Sequence, residues 1–494
     1  MKNRILYFIS LSFLIVSCSE DGLNHEAKSL VTKQQLIELA ESSPEAALTI
    51  NLGVEDGQYA FMREYSTNFS DTGERADDFG QKSIDLGVDL LSNDAVQVID
   101  HWFSNYYSYQ GRTQDFSTTR IIWNFYYTII MNVNSIIGQI APDASDESLV
   151  HLRSRAMAIR AYSYFNLIRF YQHTYKANPQ APGVPLYAPE QDINDKSRGT
   201  VQKVYDLILS DLSYAYDNIE GYSRPSKEKL NRRVVAGIYA RVLLETGTND
   251  ALCAQMANTA KNGFALMSAD EWVNGGFDSI SNSEWMWGAD INAESSTIYA
   301  SFFSHMGTLN AGYTGVIGVY KTIDARLYNA INDTDARKDA FGDADDTTVP
   351  YASYKFYDAS GSSFIGDYVY MRASEMYLIE AEAEARSGND AKAAGILYDL
   401  VSTRDSGYTQ SDKTGASLLS EIHLQRRIEL WGEGFAWLDM KRNNVNLVRD
   451  YDGSNHPAYG KFDFDYDDNE MRFQIPEKEL DNNTEINEVD QNPL

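Results

Sequence analysis

The chain has 494 residues and a formal charge of −29, with 43% hydrophobic and 23% charged residues. Such a balance is ordinary for a folded globular protein, and the length is ample for a large core or two lobes. So negative a field repels nucleic-acid phosphates and no basic stripe offsets it, which excludes nucleic acid as a partner.

Lys2 and Arg4 precede an apolar run, Ile5 to Val16, that ends at Ser17-Cys18. A basic start and a short apolar stretch make a secretory signal region, shorter than the roughly 20 residues needed to span a membrane. A small residue before a lone cysteine resembles a bacterial lipobox. Residues 1–17 are therefore expected to be removed as a signal peptide and Cys18 to be lipidated. Several acyl chains on one cysteine anchor a protein durably, at about 0.8 kcal/mol per buried methylene. No later stretch approaches membrane-spanning length, so the mature chain is expected to be held on a membrane without crossing it.

Residues 147–172 then read as a helix apolar on more than one side, buried between neighbours. Val201, Val204, Tyr205, Ile208 and Leu212 recur at helical spacing, predicting a helix over 200–219 that opens at Thr200. Further helices are predicted over 231–246, stopping at Gly247, and over 250–267 from an Asn-Asp cap. After a break the pattern returns over 372–388, then 389–407 capped by Asn389, then 417–431 and 434–442. Small residues sit where such helices would cross: Ala381, Ala383, Ala385, Ala391, Ala393 and Ala394. The expectation is a mostly α fold, with tetratricopeptide-like helix pairs stacked in a curved array and a few short strands.

Two segments break the array, residues 67–116 and 268–370, rich in Gly, Ser, Asp and aromatics. Long irregular segments in a compact protein usually carry function, so the ligand-binding lobe is expected there. Trp285 and Trp287 alternate in a strand-like stretch, 284–291, and are read as core. With Cys18 lipidated, Cys253 has no disulfide partner and reads as a small buried residue.

The ordered motifs carry a resemblance. Ser92-Asn93-Asp94 stands ahead of an aromatic loop and IIWNFYYTIIMNVNSII (121–137). RSRAMAIRAYSYFNLIRFY (153–171), Gly183-Val184-Pro185-Leu186 and VYDLILSDLSYA (204–215) follow. Next come RRVVAGIYARVLLETG (232–247), RASEMYLIEAEAEARSG (372–388), RRIELWGEGFAWLDMKR (426–442) and FQIPEKELDNNTEINEVDQNPL (473–494). Together these resemble the SusD/RagB family of Bacteroidota, surface glycan-binding lipoproteins, along the whole chain from the lipobox onward. Residues 18–494 then form one SusD-like domain. The resemblance implies a binding protein, not an enzyme, lipid-anchored at the outer membrane. It would pass oligosaccharides to a TonB-dependent, SusC-like transporter. Ser19-Glu20-Asp21 resembles the acidic export signal of such lipoproteins, which would place the chain on the cell exterior.

In the family, ligand contacts come from the loop before the 121–137 helix and from the irregular region after the central strand. The first would supply Trp102, Tyr106, Tyr107 and Tyr109 as a flat platform, with Asn105 and Arg112 reaching sugar hydroxyls. The second would supply Tyr299, Phe303 and Tyr313. A pyranose has an apolar C–H face and a belt of hydroxyls, so an aromatic face with amide or guanidinium groups is the minimal recognition set. Arg426, Arg427, Glu429, Glu433 and Asp439 are read as structural, pairing across helix turns.

No nucleophile elbow, zinc-protease helix, phosphate loop or Cys-x-x-Cys occurs, so neither catalytic residues nor a cofactor is expected. The acidic runs Asp343/Asp345/Asp346 and Asp463/Asp465/Asp467/Asp468 lack calcium-loop spacing and read as solvated charge, so no metal is expected. Two other readings stay open: the same fold carrying oligopeptides, which would need backbone pairing and charge capture, and a surface-anchored hydrolase.

Overall fold

A computed structural model describes residues 43–67, 73–191 and 193–494. The signal run, Cys18 and Ser19-Glu20-Asp21 lie outside the described residues. The chain divides into two compact units, 1–50 and 51–494.

Sixteen helices are found among the described residues, with eight short strands: α1 (Pro44–Phe61), α2 (Gln81–Leu90), β1 (Ala95–Gln97), α3 (Ser104–Tyr107), α4 (Ser117–Gln139), α5 (Glu147–Tyr171), β2 (Leu186–Ala188), β3 (Ile193–Asp195), α6 (Val201–Asn218), α7 (Arg232–Thr246), α8 (Asp250–Lys261), α9 (Ala269–Val273), β4 (Trp285–Ala289), α10 (Phe302–Met306), β5 (Lys321–Ile323), α11 (Ala325–Asn329), β6 (Tyr368–Arg372), α12 (Ala373–Arg386), α13 (Asp390–Val401), α14 (Gly415–Glu429), α15 (Ala436–Arg442), β7 (Leu447–Val448), β8 (Asp463–Phe464) and α16 (Glu477–Asn482). Neighbours in sequence pack on one another from α4 through α8. Helix α12 then packs on α8, and α13 and α14 pack on α12, as tetratricopeptide-like pairs do.

Local chemistry explains the helix starts. The Asp146 carboxylate accepts from the Ser148 and Leu149 amides ahead of α5. Thr200 caps α6 through the Lys203 amide, and Asn231 caps α7 through that of Val234. Two predicted helices end early. Helix α8 stops at Lys261 and not at 267, because Gly263 turns the chain at φ 84°. Helix α13 stops at Val401 and not at 407, and Asn389 does not cap it: its amide donates to Glu384. Of the expected crossing alanines, Ala381, Ala383, Ala385, Ala393 and Ala394 are buried, but Ala391 faces solvent. Strand β4 pairs antiparallel with β6, and an irregular register between Trp285 and Trp287 interrupts the alternation. Both indoles are buried, donating to the carbonyls of Gly276 and Glu228 respectively. Cys253 is buried and free.

A buried ion network ties the 262–372 insertion to the helix array. Arg372 meets Glu284 at 2.6 Å, Glu429 at 2.6 Å and Glu433 at 2.8 Å. Arg337 bridges Asp335 and Glu429, Arg404 reaches Glu284, and Lys355 Nζ lies 2.7 Å from Glu433. Four acids face four bases, so the cluster is neutral as a whole. The expected pairing across helix turns is therefore corrected: Glu429 and Glu433 reach bases far along the chain, and Arg427 grips Asp94. Asp439 keeps its partners within the segment: Arg426 reaches it from α14, and Arg442 meets it at 3.0 Å one turn on in α15, the pairing across a helix turn expected of it. A helix surface offers a charge only its near neighbours, whereas the fold surrounds these groups with distant ones.

Burial opposes ionisation of Glu433, but Arg372 and Lys355 outweigh it and hold its carboxyl down at about 2, against an ordinary 4.5. A carboxyl depressed in the folded state stabilises the fold above the unfolded value and loses that contribution as pH falls toward the folded value. Glu433→Gln should thus cost about 3–5 kcal/mol at neutral pH, the usual loss when one partner of a buried ion pair is removed. In denaturant melts, the gap between variant and wild type should shrink as pH is lowered from about 4.5 toward 2. A gap independent of pH would show that the charge on Glu433 is not what stabilises the insertion.

Candidate ligand-binding face

Strand β1 pairs antiparallel with β5, Ala95 opposite Ile323 and Gln97 opposite Lys321. In an antiparallel pair, the chain leaving one strand and the chain entering the other lie at the same end. Residues 98–102 are thus set beside residues 313–320, and the Val98 amide extends the ladder by donating to the Tyr320 carbonyl. The second segment is a tight loop. Thr314 Oγ1 donates to the Gly307 carbonyl at 2.6 Å, and the Gly318 amide donates to the Thr314 carbonyl. Gly318 sits at φ 82°, a left-handed turn that an L side chain rarely adopts.

Rings converge where the two segments meet. Trp102 lies edge-on to His101 with centroids 6.0 Å apart, and His101 lies 5.6 Å from Tyr313. Tyr313 stacks on His305 at 4.6 Å and 9°. His305 is buried and bonds the Ala76 carbonyl through Nε2, which fastens α10 to the 73–79 segment. Burial, reinforced by Lys321, holds the His305 imidazole well below the usual histidine range, so Tyr313 rests on a neutral ring. From the 73–79 segment the Arg75 guanidinium stands 5.3 Å over the Trp102 ring, fixed by two bonds to Asp77 at 2.8 and 2.7 Å. Trp102, Asn105 and Tyr313 are all half-buried, and His101 is exposed.

Other candidates are turned inward, and the reason is backbone geometry. Phe103 and Tyr109 adopt φ of 72° and 60°, left-handed values uncommon outside glycine. These two turns bracket α3 and direct the rings between them into the core. Tyr106 packs on Gly87 and is 3% exposed. The Tyr107 hydroxyl bonds His456 Nδ1 at 2.6 Å, and the Tyr109 hydroxyl donates to the Leu91 carbonyl. Arg449 stacks over both Tyr107 and Tyr109. Arg112 is buried beside Glu470, and Phe303 is buried against Phe302. Tyr106, Tyr107, Tyr109, Arg112 and Phe303 therefore hold the loops together and are not a solvent-facing platform. Tyr299 is 58% exposed and stands against Phe364. Sequence reasoning missed Arg75 and His101. An aromatic-rich loop flags His101, whereas nothing in the local pattern flags Arg75.

A cleft of about 550 Å³ lies elsewhere, among Asn93, Arg326, Leu327, His423, Met440 and Val445. Its lining carries no Trp, Tyr or Phe, and its arginines Arg326, Arg426 and Arg427 are engaged by Asp324, Asp439 and Asp94. It is the weaker match to a sugar. Among the described residues no cluster of His, Cys, Asp and Glu could hold a metal ion, and no helix is long and apolar enough to cross a membrane.

Comparison with known proteins agrees with this architecture. Residues 74–244 match a SusD-like family described as starch-binding and associating with the outer membrane, and residues 299–494 match the SusD family. The SusD-like protein P38 of Formosa agariphila is 22% identical, the match covering 90% of this chain and 92% of the relative. A SusD-like carbohydrate binding protein of Bacteroides vulgatus superimposes with a TM-score of 0.78 at 24% identity, over 90% of this chain and 98% of that one. Surface glycan-binding protein A of Bacteroides thetaiotaomicron gives 0.65 at 14% identity, over 90% and 98%. The two solved structures share the fold, and the two family matches lie in order along the greater part of the sequence: the chain belongs to the SusD/RagB family.

Proposed function

We propose that this protein captures oligosaccharides on the face formed by Trp102, Asn105 and Tyr313, and delivers them to a TonB-dependent, SusC-like transporter. The observation that carries the reading is the pairing of β1 with β5, which brings a half-exposed indole and a half-exposed phenol from segments more than 200 residues apart to one surface. Sugar C–H faces stack on such rings, and the Asn105 amide, three residues beyond Trp102, supplies donor and acceptor together for hydroxyls. Membership of a substrate-binding family supports a binder over a catalyst. The mature chain would begin at Cys18, whose lipid would hold one SusD-like domain on the outer membrane, facing the exterior.

Binding on an open face is modest, because stacking and hydrogen bonding are offset by desolvation and ordering; dissociation constants of about micromolar to millimolar are expected. Trp102→Ala should lose about 1–3 kcal/mol of oligosaccharide binding with little change in Tm. Tyr107→Ala, by contrast, should cost about 3–5 kcal/mol of stability, as a buried aromatic does. Calorimetric binding paired with thermal unfolding separates the two. A Trp102→Ala protein that melts far lower yet binds unchanged would remove the face from consideration.

The anchor has its own test. Cys18→Ala should abolish labelling by a palmitate analogue and release the protein from outer-membrane fractions. Continued labelling of that variant would contradict lipidation at Cys18.

A further inference from the structure

We infer that the ligand of this face is an uncharged oligosaccharide, and that glycans bearing carboxylates or sulfates are excluded. The inference rests on the sugar-binding reading above and concerns its class. Recognition of an anionic sugar requires a cation able to turn toward it, since a buried or closely approached anion without a partner is strongly disfavoured. The segments that build the face supply none. Residues 309–320 carry no charged side chain at all, and 99–105 carry only Asp100 and the imidazole of His101. The 73–79 segment adds Glu74, Asp77 and Asp78 to a single cation, Arg75.

That cation is already paired with a carboxylate along one edge. Both Arg75 bonds go to Asp77 in the two-point geometry that a ligand carboxylate would otherwise take, and its remaining face lies over Trp102. The nearby Lys321 is fully buried, with Nζ bonded to the Val319 carbonyl and set 5.7 Å from the Phe103 ring. Residues 68–72, between Thr67 and Gly73, add no Lys or Arg to the sequence. The rim beside Tyr313 is aliphatic and open to solvent: Leu309 is 65% exposed, Val316 69% and Ile317 52%. A charged sugar docking here would lose hydration against apolar groups while meeting Glu74 and Asp100, both exposed. Like charges brought together select against a partner even where its shape fits. A neutral ring meets neither obstacle.

The test is an array of size-matched oligosaccharides probed with the lipid-free mature chain and its Trp102→Ala variant. Neutral probes would be fragments of β-glucan, mannan, xylan and starch; anionic probes would be fragments of alginate, polygalacturonate and chondroitin sulfate. Readings would be taken near pH 8, where an ordinary imidazole is neutral, in low salt and in about 0.5 M salt. Expected is binding to one or more neutral probes, unchanged by salt and lost in Trp102→Ala, with anionic probes at background. Trp102-dependent binding of an anionic probe that weakens in salt would overturn the inference and leave the sugar-binding reading standing. Absence of Trp102-dependent binding to either set would instead bring down the sugar-binding reading, and this inference with it.

Discussion

The fold depends on a set of charges taken out of water together. Glu284, Asp335, Glu429 and Glu433 are buried with Arg337, Lys355, Arg372 and Arg404. Each would be prohibitively unfavourable alone, and they are tolerable only as a balanced, hydrogen-bonded group. Five of the eight stand between α8 and the start of α12, in the insertion that interrupts the helix array. Arg404, Glu429 and Glu433 come from the array itself. Such a network contributes little net stability compared with an apolar core, but it admits one arrangement, because any slip leaves a charge unpaired. That uniqueness matters here, since over a hundred residues of loop and short strand have few backbone ladders to fix them.

An insertion fixed in this way can position a binding surface. In sequence its middle part, from α10 to β5, is flanked by network residues, Glu284 before it and Asp335 and Arg337 after it. The β1–β5 ladder is only three residues long, yet it brings Tyr313 to Trp102. The groups behind these two are held in place: the His305 ring under Tyr313 is tied to the Ala76 carbonyl, and the Arg75 guanidinium by Trp102 is tied to Asp77. A face held by bonds in its own base gives up less freedom on binding, which is how a shallow surface retains useful affinity.

The helix array was legible because its signals are local. Thr200 and Asn231 announce starts, and Gly247 and Gly388 announce ends. The face was legible only in part. Trp102, Asn105 and Tyr313 were named from the sequence and do lie half-exposed, Trp102 and Tyr313 joined through the ring of His101. Tyr106, Tyr107 and Tyr109 belong to the same run and point inward, because Phe103 and Tyr109 adopt left-handed backbone conformations that a non-glycine residue does not advertise. The charged segment 426–442 shows the same limit. Its residues were read as structural, but the distant partners Asp94, Arg372 and Lys355 become neighbours only through the fold.

Where a sugar sits decides whether Trp102, Asn105 and Tyr313 form the binding face. A crystal structure of the mature chain with a bound oligosaccharide settles it directly. The predicted result is a pyranose ring lying within van der Waals distance of the Trp102 indole, its hydroxyls within hydrogen-bond reach of Asn105 and its other edge toward Tyr313. A sugar resting instead in the cleft lined by Asn93, Arg326 and Met440, with Trp102 bare, would contradict the assignment of the face.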